Sequence, residues 1–269
     1  MHYLPDGFPE VMSCCDPLEY PVEVALGSGV FLMEDVRGSE TAMKAYYRLL
    51  NCGFRPGLAA GTDYPCDSKP VPPLGNLLTY VRVGGDLTYR KWIEGIAAGR
   101  TVISRSRHAE FLDLKVNGDA GPGDEVKLKR AGRARVEVTW TANRPLAGRV
   151  ELVRDGEVAA SRECKAGPRK AERMAESLEF ERSGWIAARR MDEKGHAVHT
   201  AAVFVSVGGE PVRAKIEDAE FLVRYIDRLL EKTAAGGEWG GYFSKQREEA
   251  RGRYRAARAV YERIAAESR

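Results

Sequence analysis

Between residues 108 and 207 the apolar side chains fall on every second position. Leu112, Leu114 and Val116 alternate with Asp113 and Lys115, and Val136, Val138 and Trp140 alternate with Glu137 and Thr139. Successive side chains point to opposite faces only in an extended chain, so this period predicts half-buried β-strands. Asp155-Gly156, set between Val150/Leu152 and Val158, is a two-residue hairpin signal. Both residue types accept the positive φ that a strand-matching turn demands. Asn117-Gly118 marks another turn, and Leu178-Glu179-Phe180, Trp185-Ile186-Ala187 and Val203-Phe204-Val205 supply further strands. Residues 108–211 are therefore expected to form an antiparallel β-sandwich of immunoglobulin-like type, without the Cys-Trp-Cys pattern of antibody domains.

The flanks carry other periods. Residues 1–107 read as α/β. Gly29-Val30-Phe31-Leu32-Met33-Glu34 reads as a buried strand ending in an acid, after the short apolar stretch Val22–Leu26. Ser39 to Asn51 reads as a helix with Ala42, Ala45, Tyr46 and Leu49 as its stripe and Gly53 as its stop. Leu58-Ala59-Ala60-Gly61 and Leu77–Val83 are strands. Thr88 to Ala98 is a second helix with Trp92, Ile93 and Ile96 expected inward and Gly99 as its stop. Residues 212–269 read as a helical hairpin, with one stripe through Phe221, Leu222, Tyr225, Ile226, Leu229 and Leu230 and another through Tyr254, Ala257, Tyr261 and Ile264.

Composition narrows the function classes. The chain has 269 residues, is 43% hydrophobic and 30% charged, and carries a net charge of +3 with both signs interspersed. A soluble globular protein is expected, with neither a basic face for nucleic acid nor a membrane partner. No apolar run approaches the roughly 20 residues that span a bilayer, and Met1–Gly7 lacks the basic and apolar regions of a signal peptide. The five cysteines, Cys14, Cys15, Cys52, Cys66 and Cys164, match no zinc-ribbon or disulfide spacing and are expected to be buried thiols.

One short segment suggests chemistry. Gly61-Thr62-Asp63-Tyr64-Pro65 sets a carboxylate just beyond a small-residue strand, and a loop with Pro65, Pro70, Pro72 and Pro73 follows. In α/β folds, ligands gather at the C-terminal ends of the strands. Asp63 is a candidate ligand there, or an acid capping its own loop. Glu34 could face the same rim, or be a surface acid in a turn. Asp67 and Cys66 lie within the loop. His196 and His199 have the spacing of helical ligand pairs but sit on a strand, where positions three apart are expected to face opposite ways. His199-Thr200 is expected to satisfy backbone groups near the junction of the two zones. Gly121-Pro122-Gly123-Asp124 lacks the Lys-Ser/Thr of a phosphate loop and is expected to be a hairpin turn.

The ordered set of Pro21–Gly27, Tyr46–Arg55, Gly61-Thr62-Asp63, Pro73-Leu74-Gly75-Asn76 with Thr79-Tyr80-Val81, Leu87-Thr88-Tyr89, Ala98–Thr101, Val116-Asn117-Gly118, Gly121–Asp124 and His199-Thr200 resembles the PHP-type (polymerase and histidinol phosphatase) metallohydrolases, in their CehA/McbA branch. The resemblance covers most of residues 17–230. It implies a distorted (β/α) barrel whose rim binds divalent metal (Zn, Mn or Fe), which activates water to hydrolyse small-molecule esters or phosphoesters. It makes Asp63 the leading metal ligand, with Glu34 and Asp67 beside it, and Tyr64, Asn76 and Arg100 candidates for binding substrate. The sequence departs from the family at the histidines. It has four, His2, His108, His196 and His199, no His-x-His pair ahead of the α/β zone, and Asp63-Tyr64-Pro65 where the family shows Asp-x-His. About 85 residues precede the second helix, against roughly 200 or more in a closed barrel. The expectation is thus a partial PHP-like layer lacking its N-terminal half, incomplete or inactive alone, followed by the sandwich and the helical hairpin. A homo-oligomer covering the open barrel edge is expected. The alternative is a non-catalytic binding or assembly module of the same descent.

Overall fold

The computed structural model describes residues 20–28, 31–34, 40–62, 73–241 and 246–268. It begins with a short helix, α1 (Tyr20–Ala25), where the sequence shows only an apolar stretch. A β-α-β unit follows: β1 (Phe31–Glu34), α2 (Glu40–Asn51) and β2 (Gly57–Ala60). β1 and β2 pair in parallel with Glu34 opposite Ala60, and a parallel pair needs the crossover that α2 supplies. Next come β3 (Leu78–Val81), α3 (Tyr89–Ala97) and β4 (Thr101–Ser104). The long β run holds β5 (Glu110–Val116), β6 (Glu125–Leu128), β7 (Gly132–Ala142), β8 (Leu146–Arg154), β9 (Glu157–Ala166), β10 (Glu172–Phe180), β11 (Gly184–Asp192), β12 (Gly195–Thr200) and β13 (Val203–Val207). Two helices close it, α4 (Ile216–Lys232) and α5 (Arg247–Glu267).

Two sheets pack face to face. One has the order β10-β7-β5. In the other, β12 and β13 share one edge of β11 while β8 takes the opposite edge and carries β9. The ladders are antiparallel except β1–β2 and β6–β13. Between the sheets lie Leu112, Leu114, Val136, Val138, Trp140, Leu152, Ile186 and Ala188, the alternating positions of the sequence pattern. The Asp155-Gly156 hairpin forms as expected, joining β8 to β9 with φ of 52° and 89°.

β11 is buried on both faces. Ile186 and Ala188 enter the core between the sheets, while Trp185 and Ala187 enter a second core with Met43, Tyr46, Tyr47 and Leu50 of α2. The other side of α2, through Ala45 and Leu49, joins Cys52 just past its end and meets α1, α4 and α5 in a third core. Lys44 stays exposed, and α2 lies between the sheet and the outer helices with two apolar faces covered. α4 and α5 run antiparallel, since Asp227 pairs with Arg258 at 2.6 Å while Leu230, further along α4, accepts from the earlier Arg251. The result is a mixed α/β fold with mostly antiparallel, sandwich-like sheets and C-terminal helices.

Several expectations change. The division at residue 107 is crossed by a sheet: Ser104, Ile103 and Val102 of β4 pair with Val198, His199 and Thr200 of β12, and β3 pairs with β4. Gly121–Asp124 is a turn, closed by Asp124 N–H donating to the Gly121 carbonyl at 2.9 Å. It leads from β5 in one sheet to β6 in the other, so it is a crossover and not a hairpin. On α3 only Ile96 of the three expected inward residues is buried; Trp92 and Ile93 are exposed. Cys52 is buried as expected, Cys164 is half-exposed, and Cys14, Cys15 and Cys66 lie outside the described residues.

Candidate functional site

β2 lies beside β4 without a backbone ladder, bridged by two threonines. Thr101 Oγ1 donates to the Leu58 carbonyl at 2.6 Å. Thr79 Oγ1 donates to the Ala60 carbonyl at 3.1 Å and accepts from the Ala60 N–H at 2.8 Å. Thr79 is the ladder partner of Ile103. Moving from Leu58 to Ala60 therefore follows β4 from Thr101 to Ile103, and β1, β2 and β4 all run the same way. Their C-terminal ends make one rim.

Three sequence candidates are fixed by this geometry. Glu34 ends β1 on the rim, opposite Ala60. Asn76 is on the same rim, since antiparallel β3 begins there with Leu78 opposite Ser104. Arg100 is at the other end: it precedes Thr101, its N–H donates to the Gly95 carbonyl at 2.9 Å, and its own carbonyl accepts from Arg82 N–H at 2.8 Å. The structure thus separates Arg100 from the other two. Asp63, Tyr64 and Asp67 lie outside the described residues; Thr62, the residue before Asp63, is buried on the rim. Among the described residues no group of three or more His, Cys, Asp or Glu side chains could hold a metal ion. Glu34, Thr62 and Asn76 offer one carboxylate, one hydroxyl and one amide, which do not make a divalent-metal site by themselves.

The histidines are arranged otherwise than their spacing predicts. Opposite β11, Arg190 pairs with Val198 and Met191 with His196, so Ala197 is an extra residue in β12. Such a bulge turns positions three apart onto one side. The His196 and His199 rings meet edge to face with centroids 5.4 Å apart, and both are buried. His199 Nδ1 lies 2.7 Å from the Thr200 carbonyl. A carbonyl can only accept, so Nδ1 carries the proton and Nε2 accepts from the Tyr47 hydroxyl at 2.6 Å. Burial holds the imidazole well below its ordinary 6.5, and His196 and Arg189 push the same way. His199 is a neutral, fully used core residue; its bond to Thr200 is the backbone role expected of it.

This bond begins a polar relay that the sequence reading missed. Tyr47 packs on Trp185 with centroids 5.1 Å apart. Trp185 Nε1 donates to Asn51 Oδ1 at 2.7 Å, Asn51 Nδ2 donates to Asp218 Oδ2 at 2.7 Å, and Arg48 pairs with Asp218 Oδ1 at 2.6 Å. The relay joins the sheet to α4 through α2. A polar Asn at the end of an apolar helix was the available signal, because a buried amide needs partners. A second buried cluster closes one end of the sandwich: Glu110 accepts from Arg190 Nε at 2.7 Å and from Trp140 Nε1 at 2.8 Å.

No family model and no curated protein matches this chain. Among solved structures it is similar to a CARDB domain from Pyrococcus furiosus, at 18% identity over 38% of this chain and 99% of that one, TM-score 0.27. The same domain in complex with di-metal ions aligns at 16% identity over 37% and 94%, TM-score 0.26. The sulfur carrier protein SoxY from Chlorobium limicola aligns at 11% identity over 36% and 79%, TM-score 0.26. Scores of this size transfer neither a detailed fold nor a function.

Proposed function

We propose that this chain forms one wall of a CehA/McbA-like, PHP-type metal-dependent hydrolase site acting on small-molecule esters or phosphoesters, and that it is not competent alone. The observation that supports this is the common direction of β1, β2 and β4, which gathers Glu34, Thr62 and Asn76 at one rim immediately before Asp63. In this reading Asp63 is the principal ligand, Glu34 and Asp67 assist, and Tyr64 and Asn76 face the substrate. Arg100, at the opposite end, drops out. None of these residues is one of the histidines that Zn, Mn or Fe would require. The finer fold that accompanies this reading is a partial PHP-like layer joined to an immunoglobulin-like sandwich.

Calorimetric titration of the full chain with Mn²⁺ and Zn²⁺ tests it. Asp63→Asn is expected to weaken binding about tenfold or more, the scale of losing a charged ligand, with no turnover of a nitrophenyl ester by the chain alone. Equal metal affinity in both proteins would overturn the assignment. A second reading, a binding or assembly module without chemistry, is favoured by the outward apolar face of α3.

A further inference from the structure

Helix α3 and the residue before its N-cap turn large apolar side chains to solvent. Leu87 and Tyr89 are 74% and 80% exposed, and Trp92 and Ile93 are 38% and 42% exposed. The inward face is fixed by Gly95 and Ile96, both buried; a Cβ at Gly95 would meet Val81 Cγ1 at 2.4 Å. α3 therefore cannot roll its apolar row inward without driving its close contact with β3 apart. Tyr89 and Trp92 pack on each other with ring centroids 6.3 Å apart, so the row is already a formed surface.

We propose that a second copy of this chain docks on this face, with the two α3 helices antiparallel about a two-fold axis. On a helix, residues four apart are neighbours. Tyr89 and Ile93 form one row, and Arg90 and Glu94, both exposed, form the adjacent row. Reversing the direction of a second helix sets Tyr89 against the partner's Ile93 and Arg90 against the partner's Glu94, and the two-fold repeats each contact. A closed dimer requires this self-complementarity. Lys91 keeps its charge but is tethered off these rows, its Nζ held by the Gly84 and Asp86 carbonyls at 3.1 Å each. One cation and one anion on the row also favour a second copy over an anionic lipid surface, which selects a face rich in cations. The Tyr89/Ile93 and Arg90/Glu94 rows together present on the order of 400 Å² per copy. Face to face that approaches the low end of specific interfaces, so the dimer is concentration-dependent.

The proposal is independent of the rim and its metal. Sedimentation of the full chain between about 1 and 200 µM is expected to show a monomer–dimer equilibrium, as an interface of this size implies. Ile93→Glu is expected to abolish it. Arg90→Glu and Glu94→Arg are each expected to weaken it about tenfold, and the double variant R90E/E94R to restore it to within about threefold, since only the paired charges are exchanged. All these positions are exposed, and far-UV circular dichroism confirms that each variant folds. A chain that stays monomeric throughout, a dimer indifferent to Ile93→Glu, or a double variant as weak as the singles overturns the proposal.

Discussion

The Tyr47 hydroxyl donates to His199 Nε2 across 2.6 Å, a bond between residues 152 positions apart that ties α2 to the sheet. Tyr47→Phe keeps the ring against Trp185 but leaves a buried nitrogen lone pair without this donor. Stability is expected to fall by about 1–3 kcal/mol, the cost of a lost partner in a dry site. Urea unfolding monitored by circular dichroism measures it.

The same imidazole makes stability depend on pH. In the folded chain His199 resists protonation because burial holds its pKa well below 6.5. The unfolded chain takes up a proton as pH falls below that value and so binds more protons than the folded state. Stability is therefore lost as pH falls below about 6.5, by at most about 1.4 kcal/mol per pH unit, and is level above it. Asp155 has the opposite sign: burial pushes its pKa up from 3.8, so its contribution is lost as pH rises through that raised value. The difference in urea midpoint between the wild type and His199→Gln, taken from pH 5 to 8, isolates the histidine. A difference that does not vary with pH over that range would refute the assignment.

Gly123 and Gly118 provide a controlled pair. Both have positive φ, +83° and +93°, but a Cβ at Gly123 would meet the Ala98 carbonyl at 2.3 Å, whereas nothing lies within 4 Å at Gly118. Gly118→Ala is expected to cost about 1 kcal/mol from backbone strain alone. Gly123→Ala adds a collision with backbone and is expected to cost roughly 3 kcal/mol. Thermal melts of the two variants compare them directly.

Glu110 and Arg190 form a buried pair, with the Trp140 indole as a third member. Glu110→Leu leaves the buried Arg190 guanidinium with only Asp192, 3.7 Å away, as counter-charge and is expected to cost about 3 kcal/mol. Adding Arg190→Met should recover much of that loss, because the poorly compensated charge is gone while the Trp140 N–H is equally deprived in both variants. Denaturant unfolding of the two variants gives the comparison.

The strands were legible because alternation is a local property. Val136, Val138 and Trp140 show their inward face in any sheet that contains them, and Asp155-Gly156 carries its turn in its own φ preferences. What was not legible depends on partners. The stripe through Trp92, Ile93 and Ile96 announces an apolar helix face but not what covers it, and here Gly95 packs so closely on Val81 that the first two are left outside. The pairing of β4 with β12 joins residues nearly a hundred positions apart, with no local signal. His196 and His199 met because Ala197 bulges, and one inserted residue is invisible to a rule of strict alternation. At the rim, β2 was readable from the small-residue run Leu58-Ala59-Ala60, while Asp63 lies outside the described residues. The displacement of Arg100 to the far end followed from the direction of β4.

The burial of α2 on two sides has a consequence for dissecting this protein. A fragment cut at residues 108 and 211 would lose β3, β4 and α2 together, leaving Trp185, Ala187 and Phe204 facing water. A fragment of the helices alone would strip the sheet from Met43, Tyr46 and Leu50. Among the described residues, neither cut leaves both pieces with their apolar faces covered. The described contacts that cover the two apolar faces of α2 reach from α1 to α5.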